Sequence, residues 1–177
     1  MSFFKRIDIF KLIVLWAILC LAQTALKAQR IYVYVALSET CPICKSITSE
    51  LRSLDERYSD AEVSFTGIFP NAANSTATSR AAFGSKYKIQ FPLIADSAYT
   101  FAYRYTIQTL PEVIVLDSTQ TRIVYRGLID DSFASVGKRR GSISKRYLRD
   151  VLEESLKDNS YIAPYTNPVG CILTYPK

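Results

Sequence analysis

Apolar residues follow two periods along this chain. Arg30 to Leu37 reads Arg-Ile-Tyr-Val-Tyr-Val-Ala-Leu, a nearly unbroken apolar, β-branched and aromatic run that suits a strand buried on both faces. Ser38-Glu39-Thr40 is a short polar turn. Ile47, Leu51, Leu54 and Tyr58 then recur at steps of four, three and four, which predicts a helix over about Lys45 to Tyr58. Val63, Phe65, Gly67 and Phe69 alternate within Glu62 to Pro70, the second strand. Asn71 to Asn74 reads as loop. Ser75 to Tyr87 is expected to be helical, with Ser75 or Thr76 as its cap. Phe91 to Ala95 is a short apolar piece, and Ala98 to Tyr105 a short helix.

Leu110-Pro111 introduces Glu112 to Asp117, a strong strand. Ser118 to Thr121 is a tight turn, and Arg122 to Arg126 the hairpin partner, with Ile123 and Tyr125 on one face and Val124 on the other. Gly127 to Gly141 reads as an exposed basic loop. The last helix is expected over Ser142 to Lys157, with Ile143, Tyr147, Val151 and Leu152 facing the core and Leu156 extending it. Residues 161–177, rich in proline, form an irregular tail. Strand–helix–strand implies a right-handed parallel unit, and the close pair around Ser118 an antiparallel hairpin. A mixed central sheet with helices on both faces follows.

The N-terminus changes the compartment. Lys5, Arg6 and Lys11 precede an apolar run from Leu12 to Ala22, and small residues follow at Ala25 and Ala28. This is the pattern of a secretory signal peptide over residues 1–28, cut after Ala28, with Ala25 the second choice. An uncleaved anchor is the alternative, and only then is a membrane a partner. Lipid attachment at Cys20 is disfavoured because Ile18-Leu19 lacks the small residues it requires. Each outcome places the folded part in the periplasm or otherwise outside the cytoplasm, where disulfides persist. Roughly 150 residues remain, enough for one core.

Composition narrows the chemistry. Of 177 residues, 49% are hydrophobic and 21% charged, and none is histidine. Histidine triads, histidine metal sites and histidine-ligated haem are thereby excluded. The formal charge of +6 owes much to the leader; what remains argues no affinity for nucleic acid. Four cysteines stand at 20, 41, 44 and 171. Cys41-Pro42-Ile43-Cys44 sits where the first strand gives way to a helix. Two intervening residues bring the sulfurs within bonding reach. A cysteine at a helix start faces unpaired N–H groups and the positive end of the dipole, which favours thiolate. Lys45 adds a nearby positive charge. Cys41 is therefore the expected nucleophile, exposed and substantially anionic near neutrality, and the more buried Cys44 its resolving partner. A zinc half-site lacks further ligands, and a passive disulfide over so short a loop stabilises little.

Element order and motif together resemble the thioredoxin-like superfamily over about Arg30 to Lys157, within a domain spanning 29–160. Within it the chain looks like extracytoplasmic redoxins, related to peroxiredoxins and thiol–disulfide oxidoreductases. The stretch Tyr125-Arg126-Gly127-Leu128-Ile129-Asp130-Asp131 and the final Val169-Gly170-Cys171-Ile172 resemble a peroxiredoxin-like subgroup. The resemblance implies a three-layer sandwich, a cis Pro111 beside the dithiol, and a substrate-binding role for Leu110, Pro111 and Pro42. It implies disulfide exchange with protein disulfide or dithiol clients and a recycling thiol partner, with no cofactor or metal.

Accessory candidates are Cys171, Glu39 and Lys45. Cys171, left over once Cys20 is removed, is open to intermolecular pairing, a free thiol, a second resolving role or simple packing. Glu39 reads as a proton acceptor or a solvated turn residue. A peroxiredoxin-like peroxidase is the rival reading. Its pattern wants Pro and Thr seven and three residues before Cys41, where this chain has Tyr34 and Ser38; Arg122 and Arg126 matter only to that reading. A non-enzymatic binding module is the third.

Overall fold

The computed structural model describes residues 31–58, 63–70 and 75–176. The expected leader lies outside them, as does the loop at Asn71 to Asn74. Strands β1 (Ile31–Ala36), β2 (Val63–Phe69), β3 (Leu93–Ala95), β5 (Glu112–Asp117) and β6 (Ile123–Gly127) form one sheet in the order β3-β2-β1-β5-β6. β1 pairs parallel with β2 and antiparallel with β5; β5 and β6 form the hairpin. The sheet is mixed, as the element order implies.

Strand alternation sends side chains to opposite faces. Phe69 meets Phe83 of helix α3 (Ala77–Tyr87), with ring centroids 5.7 Å apart. Tyr34 points the other way, against Phe101 of helix α4 (Thr100–Arg104) at 5.4 Å. Helices therefore cover both faces. Helix α1 (Pro42–Ser46) carries the dithiol and is followed by α2 (Thr48–Tyr58). Glu50 on α2 accepts from Arg146 at 2.5 Å and Arg149 at 3.0 Å, which ties α2 to the C-terminal helix α5 (Tyr147–Lys157). A capping box between Thr76 and Ser79 starts α3.

Four expectations need correction. The helix read from Lys45 to Tyr58 begins at Pro42 and breaks at Ile47. Ser46 Oγ donates to the Ile43 carbonyl and Thr48 Oγ1 to that of Lys45, both at 2.8 Å; such back-bonding competes with the helical ladder. In the hairpin, a register shift between Val115 and Leu116 breaks the alternation, so Val124 and Tyr125 are both buried. Gly127 to Gly141 is not simply a solvated loop. Ile129, Asp130, Asp131 and Ser132 are buried, and strands β7 (Phe133–Ser135) and β8 (Lys138–Arg139) pair within it. Finally, α5 starts late, at Tyr147. The Asp131 carboxylate accepts from the Ser144 and Lys145 N–H groups and from Ser144 Oγ, which holds that approach out of helix. Leu148, not Ile143, joins Val151 and Leu152 in the core.

The tail is irregular in secondary structure but fastened along its length. Ala163 N–H donates to Val124 O at 2.9 Å. Thr166 Oγ1 accepts from Leu128 N–H at 2.8 Å and is hydrogen-bonded to Tyr125 Oη at 2.6 Å. Strand β9 (Cys171–Ile172) follows and pairs antiparallel with β4 (Thr109–Leu110).

Candidate active site

The site is built where β1 ends, α1 begins and β4 passes into β5. Leu37 N–H donates to Ile68 O and Cys41 N–H to Ser38 O, which close the turn after β1. Ser38 is buried, its hydroxyl bonded to Thr40 Oγ1 at 3.0 Å. Cys41 is the N-cap of α1 in extended backbone, and Pro42 occupies the first turn, where its missing N–H has no cost. The Leu110–Pro111 peptide is cis. The Leu110 carbonyl oxygen lies 3.4 Å from Cys41 Sγ, so β4 and the dithiol turn meet.

Cys41 is bonded to Cys171, with Cα atoms 6.0 Å apart and a sequence separation of 130. Cys44 is the free thiol among the described residues. The expectation of an exposed Cys41 is therefore corrected: it is 2% accessible, closed off by Cys171 and Leu110. Cys171, whose pairing the sequence left open, is bonded within the chain, because β9 lays it directly against Cys41. Cys44 is fully buried, and burial pushes its thiol up to about 12; the Glu39 charge adds to this, while backbone N–H groups and Lys45 oppose it.

Glu39 has its own partners: Ser75 Oγ donates to it at 2.6 Å and Ser79 Oγ at 2.9 Å, at the start of α3. Its carboxylate is occupied there, though its charge reaches Cys44. Lys45 stands in the last turn of α1. Arg122 donates to Asp117 and to the Asn159 and Ser160 carbonyls. Arg126 does not face solvent as a bare hairpin charge. It donates twice to Glu112, at 2.5 and 2.8 Å, and its guanidinium lies over Tyr165.

Glu112 was not among the expected site residues. It follows Pro111, is 1% exposed, and burial raises its carboxyl above the usual range despite the Arg126 partner. The signal was an acid opening a strand whose next four residues are apolar. The pairing of Cys41 with Cys171 carried a weaker signal, an unpaired cysteine beside a glycine near the C-terminus.

A family model described as Redoxin matches residues 21–138, more than half of the chain. A search of curated proteins gives no match. Among solved structures, an uncharacterized conserved protein from Geobacillus kaustophilus superposes with a TM-score of 0.72 at 22% identity, covering 85% of this chain and 79% of the other. A hypothetical protein from Sinorhizobium meliloti gives 0.69 at 23% identity, covering 86% and 82%. A thiol-disulfide oxidoreductase from Bacteroides fragilis gives 0.52 at 17%, covering 76% and 86%. These likenesses concern the fold. The sandwich is thioredoxin-like, and by the family match the chain belongs to the Redoxin family.

Proposed function

We propose that this Redoxin-family chain is an extracytoplasmic thiol–disulfide oxidoreductase with Cys41 as its nucleophile. The observation that carries this reading is the engagement of Cys41 in a disulfide at the start of a helix, beside Leu110, the residue before the cis Pro111. The Cys41 thiolate attacks one sulfur of a client disulfide; that bond breaks and a Cys41–client bond forms. Cys44 displaces the client sulfur, which takes up the Cys44 proton, leaving Cys41–Cys44 oxidised and the client reduced by two electrons. A buried Cys44 meets no client directly, so it acts only through Cys41. Leu110 offers backbone groups to the client. The leader pattern and the Cys41–Cys171 disulfide support a location outside the cytoplasm. The name of the Bacteroides fragilis neighbour points to the same chemistry.

The peroxidase reading gains no specific support. Arg126 is taken up by Glu112, and Arg122 by Asp117 and the tail.

The test is reduction of insulin disulfides by the pre-reduced full-length chain. Cys41→Ser is expected to abolish it, while Cys171→Ser, which loses the same bridge, keeps it and so controls for lost stability. Unchanged turnover by Cys41→Ser would overturn the assignment.

A further inference from the structure

We propose that the C-terminal strand is a built-in occupant of the client-docking edge, and that Cys171 is a third exchange residue that trades places with Cys44 on Cys41. This rests on the oxidoreductase reading above.

The placement of the tail carries the argument. β9 pairs antiparallel with β4, Cys171 opposite Leu110 and Ile172 opposite Thr109. Leu173 N–H continues the ladder to Gln108 O at 2.8 Å. Side chains alternate as an extended strand requires: Cys171 bonds Cys41, Ile172 is 84% exposed, and Leu173 is buried. Tyr175 anchors the end, donating to the Ala102 and Ile107 carbonyls and stacking on Tyr103 at 4.7 Å. Gly170 passes so close that a Cβ there would overlap the Leu110 carbonyl.

An extended segment that pairs its backbone with the residue before Pro111 and hands a cysteine to Cys41 has the form of a bound client. Its backbone groups occupy β4, so no second strand pairs there while β9 is docked. A protein client gains the edge only when the tail leaves.

The exchange is internally balanced. Cys44 attacks Cys41 Sγ, and its proton ends on the departing Cys171 sulfur. The Cys41–Cys44 bond forms as the Cys41–Cys171 bond breaks. One disulfide precedes the step and one follows it, so neither oxidant nor reductant is consumed. The closed form holds the tail covalently; the open form holds it by strand pairing, by Tyr175 and by the upstream bonds of Ala163 and Thr166.

The test uses the full-length chain and Gly170→Val, which keeps all three cysteines and denies the tail its approach to Leu110. Thiols are trapped with N-ethylmaleimide without reduction, and the disulfides mapped by mass spectrometry. The wild type is expected to give Cys41–Cys171. Gly170→Val is expected to give Cys41–Cys44 with Cys171 trapped, and to reduce insulin several-fold faster once pre-reduced. Cys171→Ser, whose tail still docks, is expected to form Cys41–Cys44; failure to do so overturns the trade of places. A wild type with Cys171 trapped as a free thiol, or a Gly170→Val chain that keeps Cys41–Cys171 and wild-type turnover, overturns the proposal. A bridge that moves in Gly170→Val while neither protein touches insulin would instead sink the oxidoreductase reading and leave the tail's placement standing.

Discussion

A thiol sealed from water ionises only at the expense of its burial, and Cys44 is such a thiol. Its value of about 12 belongs to the folded chain, whereas the unfolded thiol ionises near 9.0. Between those values the native state holds a proton that the unfolded state has lost. The contribution to stability is therefore complete below pH 9 and is lost as pH rises toward 12. Two measurements check this. Iodoacetamide at pH 8 is expected to leave Cys44 of the oxidised chain unmodified until guanidinium is added. The urea midpoint is expected to fall less steeply above pH 9 in Cys44→Ala than in the wild type. Rapid labelling of the native thiol would contradict the burial. The spacing of Cys41 and Cys44 was legible in the sequence because two-residue separation at a strand–helix junction is a local pattern. The partner of Cys171 was not, because 130 residues of chain path decide it and a two-residue strand has no period to read.

At the level of elements, β5 and β6 were legible from apolar runs and a polar turn, but the pairing of the charges within them was not. Glu112 opens β5 and Arg126 lies near the end of β6; the two meet across the hairpin. Arg126→Ala leaves a buried carboxylate without its cation and is expected to cost about 3 kcal/mol by urea denaturation. Glu112→Gln, which keeps a hydrogen-bonding group of the same shape, is expected to cost clearly less. Equal losses in the two variants would show that the pair's electrostatics matter less than its packing. The break at Ile47 was equally hidden. Apolar spacing continues through it, while the deciding bonds come from Ser46 and Thr48, whose side chains carry no periodic signal.

For the whole molecule, the Cys41–Cys171 bridge closes almost all of the described domain into one loop. A loop of 130 residues restricts the unfolded chain by about 5 kcal/mol on the chain-entropy estimate. Cys171→Ser is expected to lower the thermal midpoint markedly under oxidising conditions. With dithiothreitol present, variant and wild type should converge. A midpoint indifferent to reductant would mean that the bridge constrains little.

Thr166, pinned by Tyr125 and Leu128, sits five residues ahead of Cys171. Opening the bridge therefore leaves that sulfur on a short leash. Five extended residues reach no further than roughly 18 Å, which keeps the freed thiol at an effective concentration on the order of millimolar around Cys41. Dissolved small thiols below that level lose the competition for Cys41, and capture by a second copy of the chain is outpaced by recapture of the chain's own end.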